Sequence, residues 1–146
     1  MIRKAELKDF DDILDLSEDF WGHTQFQESF ERAHTINMVN MAYEHGLLAV
    51  LEIEKRVVGF AAGVKSPSMG SSKAIVGTEL AWWVSPANRG GGAGVKLLRF
   101  MEGLAKKEGV KYWNMISMQT SMPDKINSMY EKMGYKLAET TYTKVI

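Results

Sequence analysis

Between an apolar run and an amphipathic one lies Arg89-Gly90-Gly91-Gly92-Ala93-Gly94, four glycines in six residues. Glycine lets a backbone turn tightly and approach a ligand closely, and a helix that follows presents unpaired N–H groups. That combination suits an anion, phosphate above all; the alternative is a flexible loop that holds nothing. Spacing narrows the phosphate carrier. A Walker loop ends in Gly-Lys-Ser/Thr, but here Lys96 stands between Val95 and Leu97. A dinucleotide fingerprint needs glycine at its first, third and sixth positions, and the sixth from Gly90 is Val95. Both nucleotide readings fail.

Other chemistry is thinner. Without cysteine the chain has no disulfide, no thiolate zinc site and no thiol nucleophile. His23, His34 and His45 are spaced by eleven, so on one helix each pair would lie roughly 16 Å apart, too far to share a metal. No metal is expected. No Ser-His-Asp order emerges. Asp9 to Glu31 carries eight carboxylates and neither Lys nor Arg; it is either the solvated face of two helices or a wall that attracts a cation. Eighteen basic residues balance eighteen acidic ones, which argues against a dedicated nucleic-acid binder. No stretch approaches the ~18 apolar residues that cross a bilayer. Met1-Ile2-Arg3-Lys4-Ala5-Glu6 turns charged at once, with no signal-peptide core, so the expected location is the cytoplasm.

The elements that must position these groups read as one domain, residues 1–146, at 45% hydrophobic and 25% charged residues. Ile2 to Ala5 is a short strand. Phe10, Ile13, Leu14 and Trp21 recur at helical spacing, and Phe26, Phe30, Ala33 and Tyr43 suggest a second helix ending near Gly46. Leu47 to Ile53 and Val57 to Val64 form a hairpin, and Ser66 to Lys73 is a loop. Ile75 to Val84 is a strand whose alternation puts Glu79, Ala81 and Trp83 on one face and Leu80, Trp82 and Val84 on the other. Leu97 to Ala105 is a helix, Tyr112 to Met118 a strand, Ile126 to Met133 a helix, and Tyr135 to Val145 a last strand. A meander followed by a βαβ unit calls for an α/β, or α+β, fold: a mixed, mostly antiparallel sheet flanked by helices.

Val84-Ser85-Pro86-Ala87-Asn88-Arg89-Gly90-Gly91-Gly92-Ala93-Gly94 resembles the acetyl-CoA-binding signature of the GCN5-related N-acetyltransferases (GNAT), whose core is Arg/Gln-x-x-Gly-x-Gly/Ala. Tyr130-Glu131-Lys132-Met133-Gly134-Tyr135 is similar to the family's Tyr-x-x-x-Gly-Phe/Tyr near its last helix. The resemblance covers essentially the whole chain. It implies a bifurcated sheet whose central strands part to admit pantetheine. Backbone groups of Trp82, Trp83 and Val84 would run beside it, and amides of Arg89, Gly90, Gly91, Gly92, Ala93 and Gly94 would take the pyrophosphate. One departure stands out. Many members carry Asn seven positions before the tyrosine, where this chain has Pro123.

The implied reaction moves an acetyl group from acetyl-CoA to a primary amine, a cationic small molecule or a protein lysine or N-terminus, by direct attack in a ternary complex. The ammonium must lose a proton before it attacks, and the thiolate leaves more easily if given one. Glu79 is the expected base, being the one carboxylate inside the apolar strand before the glycines; otherwise it is an outward strand carboxylate. Tyr130 is the expected acid by the family's usage, a phenol that stays protonated at neutral pH; otherwise it is a core tyrosine. Among Lys96, Arg99, Lys106, Lys107 and Lys111, one or two would meet the ribose phosphate of CoA. The expected partners are an amine acceptor and no nucleic acid or membrane, with a homodimer left open. The competing reading is a catalytically silent domain of this fold that binds CoA as a sensor or holds a partner protein.

Overall fold

The computed structural model describes residues 1–146, which form two compact units, Met1–Ile116 and Ser117–Ile146. The first unit holds β1 (Ile2–Lys4), α1 (Phe10–Trp21), α2 (Arg32–His45), β2 (Leu47–Ile53), β3 (Arg56–Ser68), β4 (Ser71–Val84), α3 (Ala93–Lys107) and β5 (Tyr112–Asn114), with single 3-10 turns at Leu7–Asp9 and Pro86–Asn88. The strands form one sheet in chain order. β1 to β4 are antiparallel neighbours and β5 joins β4 in parallel. The sheet is mixed and mostly antiparallel, as the element order implied. No helix is long and apolar enough to cross a membrane.

Each face of the sheet carries its own apolar layer. Ile13, Leu14 and Leu16 of α1 and Val39 and Ala42 of α2 pack with Leu48, Val50, Phe60, Ala62 and Trp83 on one face. On the other face, Leu97, Met101, Leu104 and Ala105 of α3 pack with Ala49, Leu51, Ala61 and Val84, joined by Trp82 and Trp113. β2 is buried on both faces, which is why Leu47 to Leu51 reads as an unbroken apolar run rather than an alternating one. Arg3 holds two carboxylates at the β1–β2 edge, Asp9 at 2.7 Å and Glu52.

The register slips once at the centre. Ala62 pairs with Ala81, but Gly63 pairs with Glu79, leaving Leu80 as an extra residue on β4. Such a bulge resets the alternation of the strand. Gly77 and Glu79 therefore share the α3 face with Trp82 and Val84, while Ala81 and Trp83 take the opposite face. The simple alternation that grouped Glu79 with Trp83 is corrected by this one residue.

Other boundaries differ for physical reasons. α2 starts at Arg32, because Trp21 stacks on Phe26 at 5.2 Å and its Nε1 donates to the Glu28 carbonyl, holding residues 22–31 as a loop. The Ser66–Lys73 segment is mostly strand: β3 and β4 continue through it to a tight turn at Met69 and Gly70. Pro67 is tolerated there because β2 stops pairing at Gly63, so its missing N–H faces no neighbour. β5 ends at Asn114 rather than Met118. In the second unit, α4 (Pro123–Lys132) forms where a helix was expected, whereas Tyr135 to Val145 is not a strand. Leu137, Tyr142 and Val145 are about nine-tenths exposed there, and β propensity without a paired neighbour does not make a strand.

Ile13 and Leu97 are fully buried in separate layers. Ile13→Ala and Leu97→Ala should each cost about 2–5 kcal/mol, and the double variant should lose the sum within about 0.5 kcal/mol. Denaturant titration checks this; a strong deviation from additivity would mean the sheet transmits repacking between its faces.

Candidate functional site

The glycine run connects the end of β4 to α3 and is built to leave amides open. Gly90, Gly91 and Gly92 have φ of 125°, 55° and 75°, the region that costs a residue with Cβ most. A Cβ on any of the three would meet nothing within 4 Å, so conformation rather than crowding selects glycine. Gly94 differs. Its Cβ would stand 3.0 Å from the Trp82 ring, so glycine there lets the first turn of α3 rest on that indole. Within the turn, Ala93 N–H donates to Gly90 O and Lys96 N–H to Gly92 O. The amides of Gly92, Gly94 and Val95 donate to no carbonyl of the chain and lie at the positive end of a fifteen-residue helix. These donors fit a pyrophosphate.

Arg89 opens the motif but turns its side chain back. Its Nε donates to Val84 O at 2.8 Å, and its guanidinium lies 4.3 Å from the Trp83 ring centre. The Trp83 Nε1 in turn donates to Asp19 Oδ2 at 2.8 Å, and its ring meets Phe20 and His23. Among the expected cofactor residues, Trp83 therefore differs from its neighbours. Ser85 N–H donates to Val58 O, and antiparallel alternation then points the Trp83 backbone at Phe60 of β3, and those of Trp82 and Val84 the other way. That other way is the side β5 has left, since β5 pairs only with Val76, Gly77 and Thr78.

Glu79 sits one residue beyond the last paired position. Its Oε2 accepts the Ile116 N–H at 2.9 Å, a carboxylate replacing the strand carbonyl that β5 would otherwise meet. Ile116 lies two residues past the end of β5. The side chain is buried, and burial pushes its pKa from 4.5 up to about 7, with the Ile116 hydrogen bond opposing the rise. Trp82 and Val84, the two residues whose backbones turn to the vacated side, share its face. Tyr130 belongs to the second unit, where it is buried on α4 and its ring lies 5.5 Å from that of Tyr135. Pro123 is the first residue of α4, a position proline suits well.

The acidic stretch is more occupied than its composition suggests. Arg32 pairs with Asp15 at 2.7 Å and Asp11 at 3.2 Å, Arg3 holds Asp9, Asp12 accepts the Val57 N–H and Asp19 the Trp83 indole. Glu18, Glu28 and Glu31 remain outside any ion pair. Sequence reasoning missed the Ile116 amide and the Leu80 bulge, neither of which carries a residue-type signal.

The sheet thus opens beside a buried carboxyl, and an open-amide glycine loop stands at the end of the same strand. The acetyltransferase (GNAT) family model matches residues 10–135, and the chain belongs to that family. Among solved structures, similarity extends to a transcriptional regulator from Bacillus halodurans C-125 (TM-score 0.79, 20% identity, 100% of this chain and 99% of that one). It also extends to a predicted acetyltransferase from Clostridium acetobutylicum solved with acetyl-CoA (0.77, 16%, 99% and 95%). An aminoglycoside 6'-N-acetyltransferase from Acinetobacter haemolyticus shares the fold as well (0.72, 18%, 100% and 99%). A search of curated protein sequences finds no match.

The Glu79 carboxyl also leaves a mark on stability. A raised pKa stabilises the fold fully below the unfolded value of 4.5, and that contribution is lost as pH rises through about 7. The loss is on the order of 3 kcal/mol. Glu79→Gln should remove it, so the stability difference between variant and wild type should change by that amount between about pH 4 and pH 8. Parallel urea-denaturation profiles across this range would show an ordinary carboxyl.

Proposed function

We propose that this chain is an N-acetyltransferase that moves the acetyl group of acetyl-CoA to a primary amine within a ternary complex. The observation that carries the reading is the placement of Glu79, buried and on the face of Trp82 and Val84, where β5 leaves β4. Acetyl-CoA supplies a thioester, an acetyl carbon already activated toward an amine. The amides of Gly92, Gly94 and Val95 hold the pyrophosphate. The Trp82 and Val84 edge of β4 guides the pantetheine arm in the manner of an added strand.

Glu79 takes the proton of the acceptor ammonium, directly or through one water. A base whose pKa lies near 7 serves well at neutral pH, because enough of it is ionised while it still holds a proton firmly. The amine nitrogen then forms the C–N bond, the C–S bond breaks, the thiolate takes a proton for which Tyr130 is the donor, and the second proton that the nitrogen sheds as it becomes an amide restores the phenol. The role of Tyr130 rests on its place in the Tyr-x-x-x-Gly-Tyr motif. With five of the eight carboxylates from Asp9 to Glu31 already engaged, Glu18, Glu28 and Glu31 are left as the attraction for a cationic acceptor.

The cofactor half is tested by Gly92→Asp. Asp tolerates the left-handed conformation better than most residues, and the added side chain enters open space, so the fold should survive. Its negative charge should weaken acetyl-CoA binding by more than about tenfold, or about 1.4 kcal/mol. Unchanged affinity in a calorimetric titration would remove the glycine loop from the site.

The chemical half is tested by Glu79→Gln and Tyr130→Phe, each of which keeps shape and removes one proton function. Each should bind acetyl-CoA normally and lose kcat by about 10²–10⁴-fold. The rise of kcat/KM with pH through about 7 should disappear in Glu79→Gln, with partial recovery at higher pH as the amine arrives neutral. Tyr130→Phe should show no such recovery. Full activity of Glu79→Gln at neutral pH would assign the base elsewhere. Tight acetyl-CoA binding without turnover on any amine would favour a silent CoA-binding domain.

A further inference from the structure

Three glycines lie inside strands on the α3 face, Gly59 and Gly63 in β3 and Gly77 in β4, and the last two share one neighbour. Glycine weakens a strand interior unless something must come close to the backbone there. What comes close is the Trp113 indole of β5. A Cβ on Gly63 would stand 2.5 Å from its Cη2, and one on Gly77 would stand 2.6 Å from its Cε3. The ring therefore lies flat across both strands, in a slot that any side chain at either position would fill. Gly63 is the direct cross-strand partner of Glu79, and partners so placed have side chains about 4.5–5.5 Å apart at their roots. A ring over Gly63 is thus a wall beside the Glu79 carboxyl.

The slot is a costly arrangement for mere filling. The Trp113 Nε1 is buried with no hydrogen-bond partner, a cost that phenylalanine would avoid. β5 itself is three residues long; it lays the Trp113 indole over the partner of Glu79, and two residues past its end the chain gives the carboxyl the Ile116 N–H. We propose that Trp113 is a positioning residue for Glu79, its indole sealing the carboxyl from water on the α3 face of the sheet. The consequence for the reaction rests on the reading of Glu79 as base.

The charged groups around this face leave the effect to burial. On β3 the charged side chain of the same face is Lys65, whose Nζ is held by Glu108 at 2.8 Å. The buried α3 residues turned to the sheet, Leu97, Met101, Leu104 and Ala105, are all apolar. β5 contributes the uncharged Trp113, and the segment after it the Ile116 amide. Burial and that amide are the causes acting on the Glu79 pKa, so removing the cover should move it alone.

The test follows the Glu79 carboxyl carbon by NMR titration in the full chain, alongside the pH profile of kcat/KM. In Trp113→Ala the Glu79 midpoint should fall by about one unit or more toward the ordinary carboxylate range, and Trp113→Phe, which keeps a ring in the slot, should stay near wild type. Gly63→Ala, which pushes the ring aside, should shift in the same direction as Trp113→Ala. If Trp113→Ala does not fold, Trp113→Leu carries the same measurement. A cooperatively folded Trp113→Ala with an unmoved midpoint would overturn the proposal. If the midpoint moves while Glu79→Gln is fully active, the sealing role stands and the assignment of Glu79 as base falls.

Discussion

Leu80 is the residue on which the arrangement of the site depends. β4 carries one residue more than the stretch of β3 it faces, and the surplus is expelled as a bulge with its side chain 38% exposed. On its β5-ward side Glu79 lies under α3; on the other, Trp82 and Val84 return to that same layer. Without the reset, the carboxyl would face the α1–α2 layer and the glycine loop would begin from the wrong side of the sheet. Bulges concentrate where a side chain must be re-aimed or pairing must end, and here both happen within two residues: the carboxyl turns, and β5 lets go at Asn114.

Once Glu79 is aimed inward, its electrostatics follow. A carboxyl taken from water favours its neutral form, and the Ile116 amide offers only partial compensation. The fold accepts this cost because two apolar layers on either side of the sheet over-determine the strand positions. A polar group held against its preference in a rigid frame is a usual mark of a working site. The Trp113 slot extends the same logic: two strand glycines give up stability so that an indole can close the space beside the carboxyl.

Much of this was legible in the residues. The glycine run betrayed itself by composition, by the strand before it and by the amphipathic helix after it, and the structure adds that Gly90, Gly91 and Gly92 serve conformation whereas Gly94 serves the contact with Trp82. The two-layer mixed sheet followed from the order of periodic runs. What could not be read was any feature that depends on pairing between distant segments. Alternation counted along Ile75 to Val84 assumes a regular strand, and nothing local in Glu79-Leu80-Ala81 announces the slip. Phe26 and Phe30 fit a helical spacing with Ala33, yet the Trp21–Phe26 stack, a tertiary contact, keeps them out of α2. Tyr135 to Val145 has the composition of a strand, but composition is a propensity and a strand is a ladder.

The same distinction explains Arg89. The resemblance assigns the Arg89 amide to the pyrophosphate, but that amide donates to Pro86 O at 3.3 Å. The Arg89 Nε fastens the loop to Val84 O and its guanidinium lies on Trp83, which is itself anchored to Asp19 of α1. The chain of contacts runs from the glycine loop, through one indole, to the helix of the opposite layer. An anion site made of backbone amides needs those amides held in place more than it needs a mobile charge, because their donors are useful only while they converge. Arg89 supplies that fixation: it ties the end of β4 to the start of the loop, and the three left-handed glycines turn the freed N–H groups outward at the head of α3.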